Sequence, residues 1–203
     1  MQQPPFSPFG PPAGTYGPRW SPPSGPAFEI APEGSGGFSL KYVALAGYLG
    51  GLGGVATLAF AISQGRRHDP AFMAAFGLLL ASGAVTLLSA MLWIYKSWEF
   101  LPQAYRRNAS GREFSPLSAA ALHFVPLYNL YWIFVQNLGY CDAIDSVMIQ
   151  SGRAARSPRT TATAACILQL VPYLNYVAAP VAWLLYMFQM DRAKSELRRP
   201  RAG

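Results

Sequence analysis

His123-Phe124-Val125-Pro126-Leu127-Tyr128-Asn129-Leu130-Tyr131-Trp132 sets a histidine, a proline and an asparagine inside an apolar run, and how this stretch folds decides the architecture. A second copy follows 46 positions later as Gln169-Leu170-Val171-Pro172-Tyr173-Leu174-Asn175-Tyr176. The copies match at Leu122/Leu168, Val125/Val171, Pro126/Pro172 and Asn129/Asn175. Proline removes one backbone donor from a helix and crowds the carbonyl one turn earlier, a cost that is worse in lipid than in water. Two apolar segments that accept it at matching places predict paired helix kinks at Pro126 and Pro172, with a further kink at Pro180.

The apolar runs extend well beyond these copies. Of 203 residues, 52% are apolar and only 12% charged, and the charges lie between four apolar windows at 41–63, 71–95, 116–138 and 161–188. Each window reaches the roughly 20 residues that a helix needs to cross a bilayer. The expected fold is therefore all-α: an integral membrane bundle of four transmembrane helices over 38–193, with a Pro/Gly-rich tail over 1–37 and a basic C-terminal tail over 194–203. The opening tail has no periodicity that could bury a face, so disorder with polyproline II character is expected there, with a protein partner for its prolines as a further reading.

The net charge of +7 would suggest nucleic acid if it formed a patch. Every Lys and Arg instead lies outside or at the edge of an apolar window, which points to topology control and argues against nucleic-acid binding. With four spans, the two tails and the middle connection hold 2 + 4 + 5 = 11 positive residues and the other two loops hold 2 + 3 = 5. Both termini are then expected in the cytoplasm, and the protein in a bacterial cytoplasmic membrane.

Individual residues refine the picture. Gly47, Gly50, Gly51 and Gly54 let the first span approach another helix closely, within the same chain or in a homo-oligomer. Ser82, Thr86, Ser89 and Trp93 form a stripe at helical spacing on the second span. Trp93, Tyr95 and Trp98 read as an aromatic belt, followed by a basic connection whose Arg106, Arg107 and Arg112 would meet anionic lipid. The third span is expected to run on as a water-exposed helix, with Tyr140, Ile144, Val147 and Met148 recurring opposite Asp142, Asp145 and Gln150.

Chemistry would have to come from the paired motif. If both prolines lie about 15 Å into antiparallel spans, His123 is level with Asn175 and Asn129 with Gln169. His123, Tyr128, Asn129, Gln169 and Asn175 would then line a polar midplane site, with His123 as a proton carrier in a small transporter or permeation subunit. Alternatively these groups satisfy one another and the carbonyls freed by proline. The absence of any Asp, Glu, Lys or Arg deep in a window favours the second reading and a structural or interaction role. No catalytic motif is present, and neither an enzyme, a cofactor nor a metal site is expected. Cys141 and Cys166 are either idle thiols or a disulfide on the outer face.

The run from Ser115-Pro116 through Phe124-Val125-Pro126-Leu127-Tyr128-Asn129-Leu130-Tyr131-Trp132, with the later Val171-Pro172-Tyr173 and Gln189-Met190, resembles a group of uncharacterised bacterial multi-span membrane proteins. Some of those carry an N-terminal module similar to the proline-peptide-binding GYF domain, where this chain has a proline-rich tail. Leu117-Ser118 after the proline and Asp191 after Gln-Met depart from the group's pattern. The resemblance implies a membrane protein and no particular activity.

Overall fold

The computed structural model describes residues 37–65, 69–107 and 113–199. The Pro/Gly-rich tail expected over 1–37 lies outside them except for Gly37, as do His68 and Arg112. The described residues fold as six α-helices: α1 (Leu40–Ser63), α2 (Pro70–Phe100), α3 (Pro116–Ala121), α4 (Tyr128–Gln150), α5 (Arg159–Leu170) and α6 (Leu174–Arg198).

Two of them are long and apolar enough to cross a membrane. The 24 residues of α1 and the 31 of α2 rise about 36 and 46 Å, against a hydrocarbon core of roughly 30 Å. The turn between them ends in a capped start. Asp69 accepts a hydrogen bond from the Ala71 N–H at 3.1 Å, and Pro70 occupies the first helical position, where its missing N–H costs nothing. The glycines of α1 then meet the hydroxyl stripe of α2. A Cβ on Gly47 would sit 2.5 Å from Thr86 Oγ1, one on Gly50 2.7 Å from Ser82 Oγ, and one on Gly54 3.2 Å from Leu79 Cβ. Gly51 lies a little farther from Ser82. The close approach is thus within the chain.

Neither of the other two apolar windows forms a single helix. At 116–138, α3 and a 3-10 turn over Leu122–Phe124 end at Val125, and the chain reverses into α4. At 161–188, α5 ends at Leu170 and reverses into α6. The reversal is seen in side-chain contacts across each pair. Trp132 Nε1 donates to the Ala119 carbonyl at 3.1 Å, and the Phe114 and Trp132 rings stack edge-on with centroids 5.0 Å apart. Thr161 Oγ1 bonds Gln189 Oε1 at 2.7 Å, and Trp183 Nε1 bonds Gln169 Oε1 at 2.8 Å. Pro126 and Pro172 are therefore not kinks within spanning helices, and the structure supplies two candidate spans where four were expected. Of the three prolines expected to kink a helix, Pro180 alone lies inside one, α6.

The same turn is used twice. The residue after each proline has positive φ, +60° at Leu127 and +68° at Tyr173. Across it the Tyr128 N–H reaches the Pro126 carbonyl at 2.6 Å, and the Leu174 N–H reaches Pro172 at 2.9 Å. This is the strained three-residue γ-turn, which turns the chain in the least length. The asparagine of each copy then starts the next helix, its N–H bonding the carbonyl of Val125 or Val171.

The main core lies at one end of the molecule. Trp93, Ile94, Trp98 and Phe100 from the last turns of α2 pack with Trp132, Tyr140, Ile144, Val147 and Met148 of α4 and with Tyr186, Met187 and Met190 of α6. Trp93 and Trp98, expected in an interfacial belt, are buried here instead. The extension of α4 beyond the apolar window matches its periodicity, with Asp142 and Asp145 outward. Asp145 accepts from the backbone and hydroxyl of Ser157, and Asp142 pairs with Arg159, which fixes the start of α5.

Candidate functional site

Three of the residues expected at a common midplane site make their side-chain contacts locally. His123 Nδ1 lies 3.0 Å from the Ala119 carbonyl, one turn back in its own helix. Gln169 is held by Trp183 within the second hairpin. Tyr128 stacks on Trp132 with centroids 5.7 Å apart, Asn129 is half-buried, and Asn175 is exposed at the second turn. No hydrogen bond joins His123 to Asn175 or Asn129 to Gln169 among the described residues. The reversal at each γ-turn places His123 and Gln169 beside partners of their own hairpins.

The basic connection after α2 also has work inside the chain. Arg106 donates through Nε to the Leu101 carbonyl at 2.8 Å and through its guanidinium to the Glu99 carbonyl at 2.9 Å, satisfying orphan groups at the end of α2. Arg107 pairs with Glu113 at 2.7 Å. Cys141 and Cys166 are free and buried, and burial pushes the Cys141 thiol up to about 12, far from reactive thiolate.

The most built polar cluster was not among the expected sites. Asp191 of α6, fully buried, faces three partners from three helices. Lys194 Nζ lies 2.5 Å from Oδ1 and Lys41 Nζ of α1 lies 3.0 Å from Oδ2. Trp93 Nε1 of α2 donates to Oδ1 at 3.0 Å. Lys194, with no exposed surface, also donates to Ser97 at 3.1 Å. Aromatic rings close over the cations: Phe38 faces Lys194, Lys41 and Arg198, and Phe188 faces Lys41. Two ammonium groups share one carboxylate, so the cluster carries excess positive charge. Burial lowers the Lys194 ammonium to about 8, against the opposing pull of Asp191. The only sequence signal for this cluster is the acid at 191 after Gln-Met; its partner Lys41 stands 150 positions earlier.

This cluster marks a level in the molecule. Above it, α6 runs antiparallel to α1, with the Tyr42 and Phe188 rings 5.6 Å apart and Tyr48 Oη donating to the Val177 carbonyl at 3.2 Å. Tyr48 is eight residues into α1, so the second hairpin reaches about 12 Å beyond the start of that helix. Its tip and that of the first hairpin expose large apolar side chains: Leu127 at 83%, Tyr173 at 85%, and Phe124, Tyr131, Tyr176 and Val177 above half. The outward faces of α1 and α2 expose Leu49, Phe60, Met73, Leu80 and Leu88 in the same way. Such a continuous apolar surface exceeds what water-soluble monomers present. The chain matches no family model, no curated protein and no solved structure.

Proposed function

We propose that the protein is a two-span membrane scaffold of a bacterial cytoplasmic membrane: α1 and α2 cross the bilayer, and the two hairpins dip into one leaflet. The bundle built on α4 and α6 then stands on the cytoplasmic face, where it and the tails meet protein partners. One observation carries this reading. Exposed large apolar side chains are shared by α1, α2 and both hairpin tips, and on α1, α2 and α6 none lies beyond the level of the buried Lys41, Asp191 and Lys194 cluster. Each γ-turn satisfies one backbone pair internally, the Tyr128 N–H on the Pro126 carbonyl and the Leu174 N–H on the Pro172 carbonyl, which lowers the cost of irregular backbone at membrane depth.

Charge supports the same arrangement. Of 16 Lys and Arg, only Arg66 and Arg67 fall in the connection between α1 and α2, leaving 16 − 2 = 14 on the other side. That asymmetry is steeper than the 11 against 5 of a four-span chain. A scaffold is favoured over a transporter because His123 and Gln169 are hydrogen-bonded within their own hairpins and neither hairpin tip carries a charged side chain. We also place the chain with the membrane proteins that carry the Phe-Val-Pro-x-x-Asn-Leu-Tyr-Trp motif, on the strength of that motif.

Two cysteines distinguish the topologies. With Cys141 and Cys166 replaced by alanine, Gln64→Cys and Ala155→Cys are exposed to a membrane-impermeant maleimide in intact cells. Two spans predict that Gln64→Cys labels at once and that Ala155→Cys labels only after permeabilisation. Labelling of both positions from the same side would restore four spans and sink the proposal.

A further inference from the structure

We propose that a cleft between the α4–α5 connection and α6 holds the headgroup of a zwitterionic, amine-bearing phospholipid of the phosphatidylethanolamine type. The cleft, of about 320 Å³, is lined by Arg156, Pro158, Gln189, Arg192, Ala193 and Glu196. This inference rests on the membrane arrangement proposed above.

The charges of the lining define the ligand. Two arginines close by in sequence are engaged inside the chain: Arg153 donates to the carbonyls of Glu196 and Arg199, and Arg159 pairs with Asp142. Arg156 and Arg192 make no such contact with the described residues, yet they line one cleft. Two guanidinium groups in one concavity match the oxygens of a phosphate. Glu196 adds the one carboxylate of the lining, which an anion alone would have to tolerate but a primary ammonium would use. The set therefore suits a phosphate joined by a short linker to an amine better than it suits phosphate or a phosphoglycerol.

Position argues for a lipid as the source of that headgroup. On α6, Val177, Val181 and Leu185 are exposed and lie on one stripe at a spacing of four residues. The stripe continues at helical spacing through Gln189, Arg192 and Glu196, all lining the cleft. An acyl chain lying along Val177 to Leu185 delivers its headgroup to Arg192. Arg192 is seven residues past Leu185, about 10 Å down the helix. It also sits next to Asp191, whose partner Lys41 begins α1. That depth falls in the headgroup layer, which lies outside a hydrocarbon core of roughly 30 Å.

The test uses the full chain in vesicles containing equal parts phosphatidylethanolamine, phosphatidylglycerol and phosphatidylcholine. The protein is extracted gently and the retained lipids are measured by native mass spectrometry. The expected result is preferential retention of phosphatidylethanolamine, falling about tenfold in Arg156→Gln/Arg192→Gln. Glu196→Gln is expected to shift retention toward phosphatidylglycerol. Soluble glycerophosphoethanolamine at millimolar concentration should leave most of the lipid in place, because it lacks the chain that covers the α6 stripe. Equal retention of all three lipids, or retention unchanged in the double arginine variant, would overturn the site; so would full displacement by the soluble headgroup. A failure of the membrane arrangement itself shows separately, as same-side labelling of positions 64 and 155.

Discussion

Asp191 shows at the level of one residue how this fold is tied together. Its carboxylate is shared by Lys41, Lys194 and Trp93, so a single side chain joins α1, α2 and α6. Removing one partner of a buried pair leaves an uncompensated charge, and two lysines would be left here. Asp191→Asn is expected to lower stability by about 3–5 kcal/mol, read as a fall in the thermal midpoint in detergent. Lys194→Met should cost much less, since one ammonium still faces one carboxylate. The pH dependence has a defined sign. Lys194 stands at about 8 in the folded chain against 10.5 as its ordinary value, while Lys41 and Arg198 add positive charge around it. Between those values the unfolded chain holds a proton that the folded chain lacks, so stability is lowest below pH 8 and grows as pH rises toward 10.5. The thermal midpoint should therefore climb between pH 7.5 and 8.5, below the range where the raised Cys141 thiol pulls the other way, and the climb should vanish in Lys194→Met. A flat wild-type profile would show that Lys194 keeps its ordinary affinity for protons.

Individual helices meet through small residues in the α1–α2 pair and through large ones in the core built on α4 and α6. Glycines allow the close approach that helix pairs apolar enough to cross a membrane use in place of a hydrophobic drive. A methyl group on Gly47 would meet backbone as well as side chain, at 3.1 Å from the Ser82 carbonyl oxygen and the Thr86 nitrogen. Gly47→Ala should then cost about 1–3 kcal/mol by overpacking, whereas Gly53→Ala, which faces open space, should be neutral or slightly stabilising. Equal effects of the two substitutions on the thermal midpoint would remove the packing argument. Much of this element level was legible in sequence: the glycine pattern, the Ser82 and Thr86 stripe and the Tyr140, Ile144, Val147, Met148 face of α4 all follow from a period of 3.6. The proline motifs were legible as a pair but not as turns. Proline after an apolar run fits both a kink and a reversal, and the deciding feature is a positive φ at Leu127 and Tyr173. Leucine and tyrosine give no hint of it, because that region is ordinarily taken by glycine or asparagine. The Asp191 cluster was hidden for another reason. Its members come from three helices, and no local pattern joins Lys41 to a carboxylate 150 positions on.

For the molecule as a whole, the reversal at Pro172 changes where its polar half can lie. A continuous span over 161–188 would carry the chain across the bilayer and put the ends of the window on opposite faces. The hairpin returns the chain to its starting face, which lets the α4 extension, Arg153 and the charged end of α6 share one compartment. One pair of residues tells these arrangements apart without reference to any membrane. Thr161 and Gln189 are hydrogen-bonded at 2.7 Å across the hairpin. In an unbroken helix the same residues would stand about 42 Å apart. A disulfide needs Cα atoms within about 7 Å. Thr161→Cys/Gln189→Cys, with the native cysteines replaced, is therefore expected to cross-link on mild oxidation, visible as a mobility shift that reductant reverses. Thr161→Cys paired with a cysteine at the exposed tip residue Tyr173 should stay reduced, since the length of α5 separates them. If the first pair stays reduced as well, while both single cysteines react with maleimide after solubilisation, the hairpin is wrong and the paired-kink architecture returns. Formation of the bond under conditions that leave the second pair reduced would fix α5 and α6 as antiparallel neighbours, and with them the placement of Arg156 and Arg192 on one side of the hairpin.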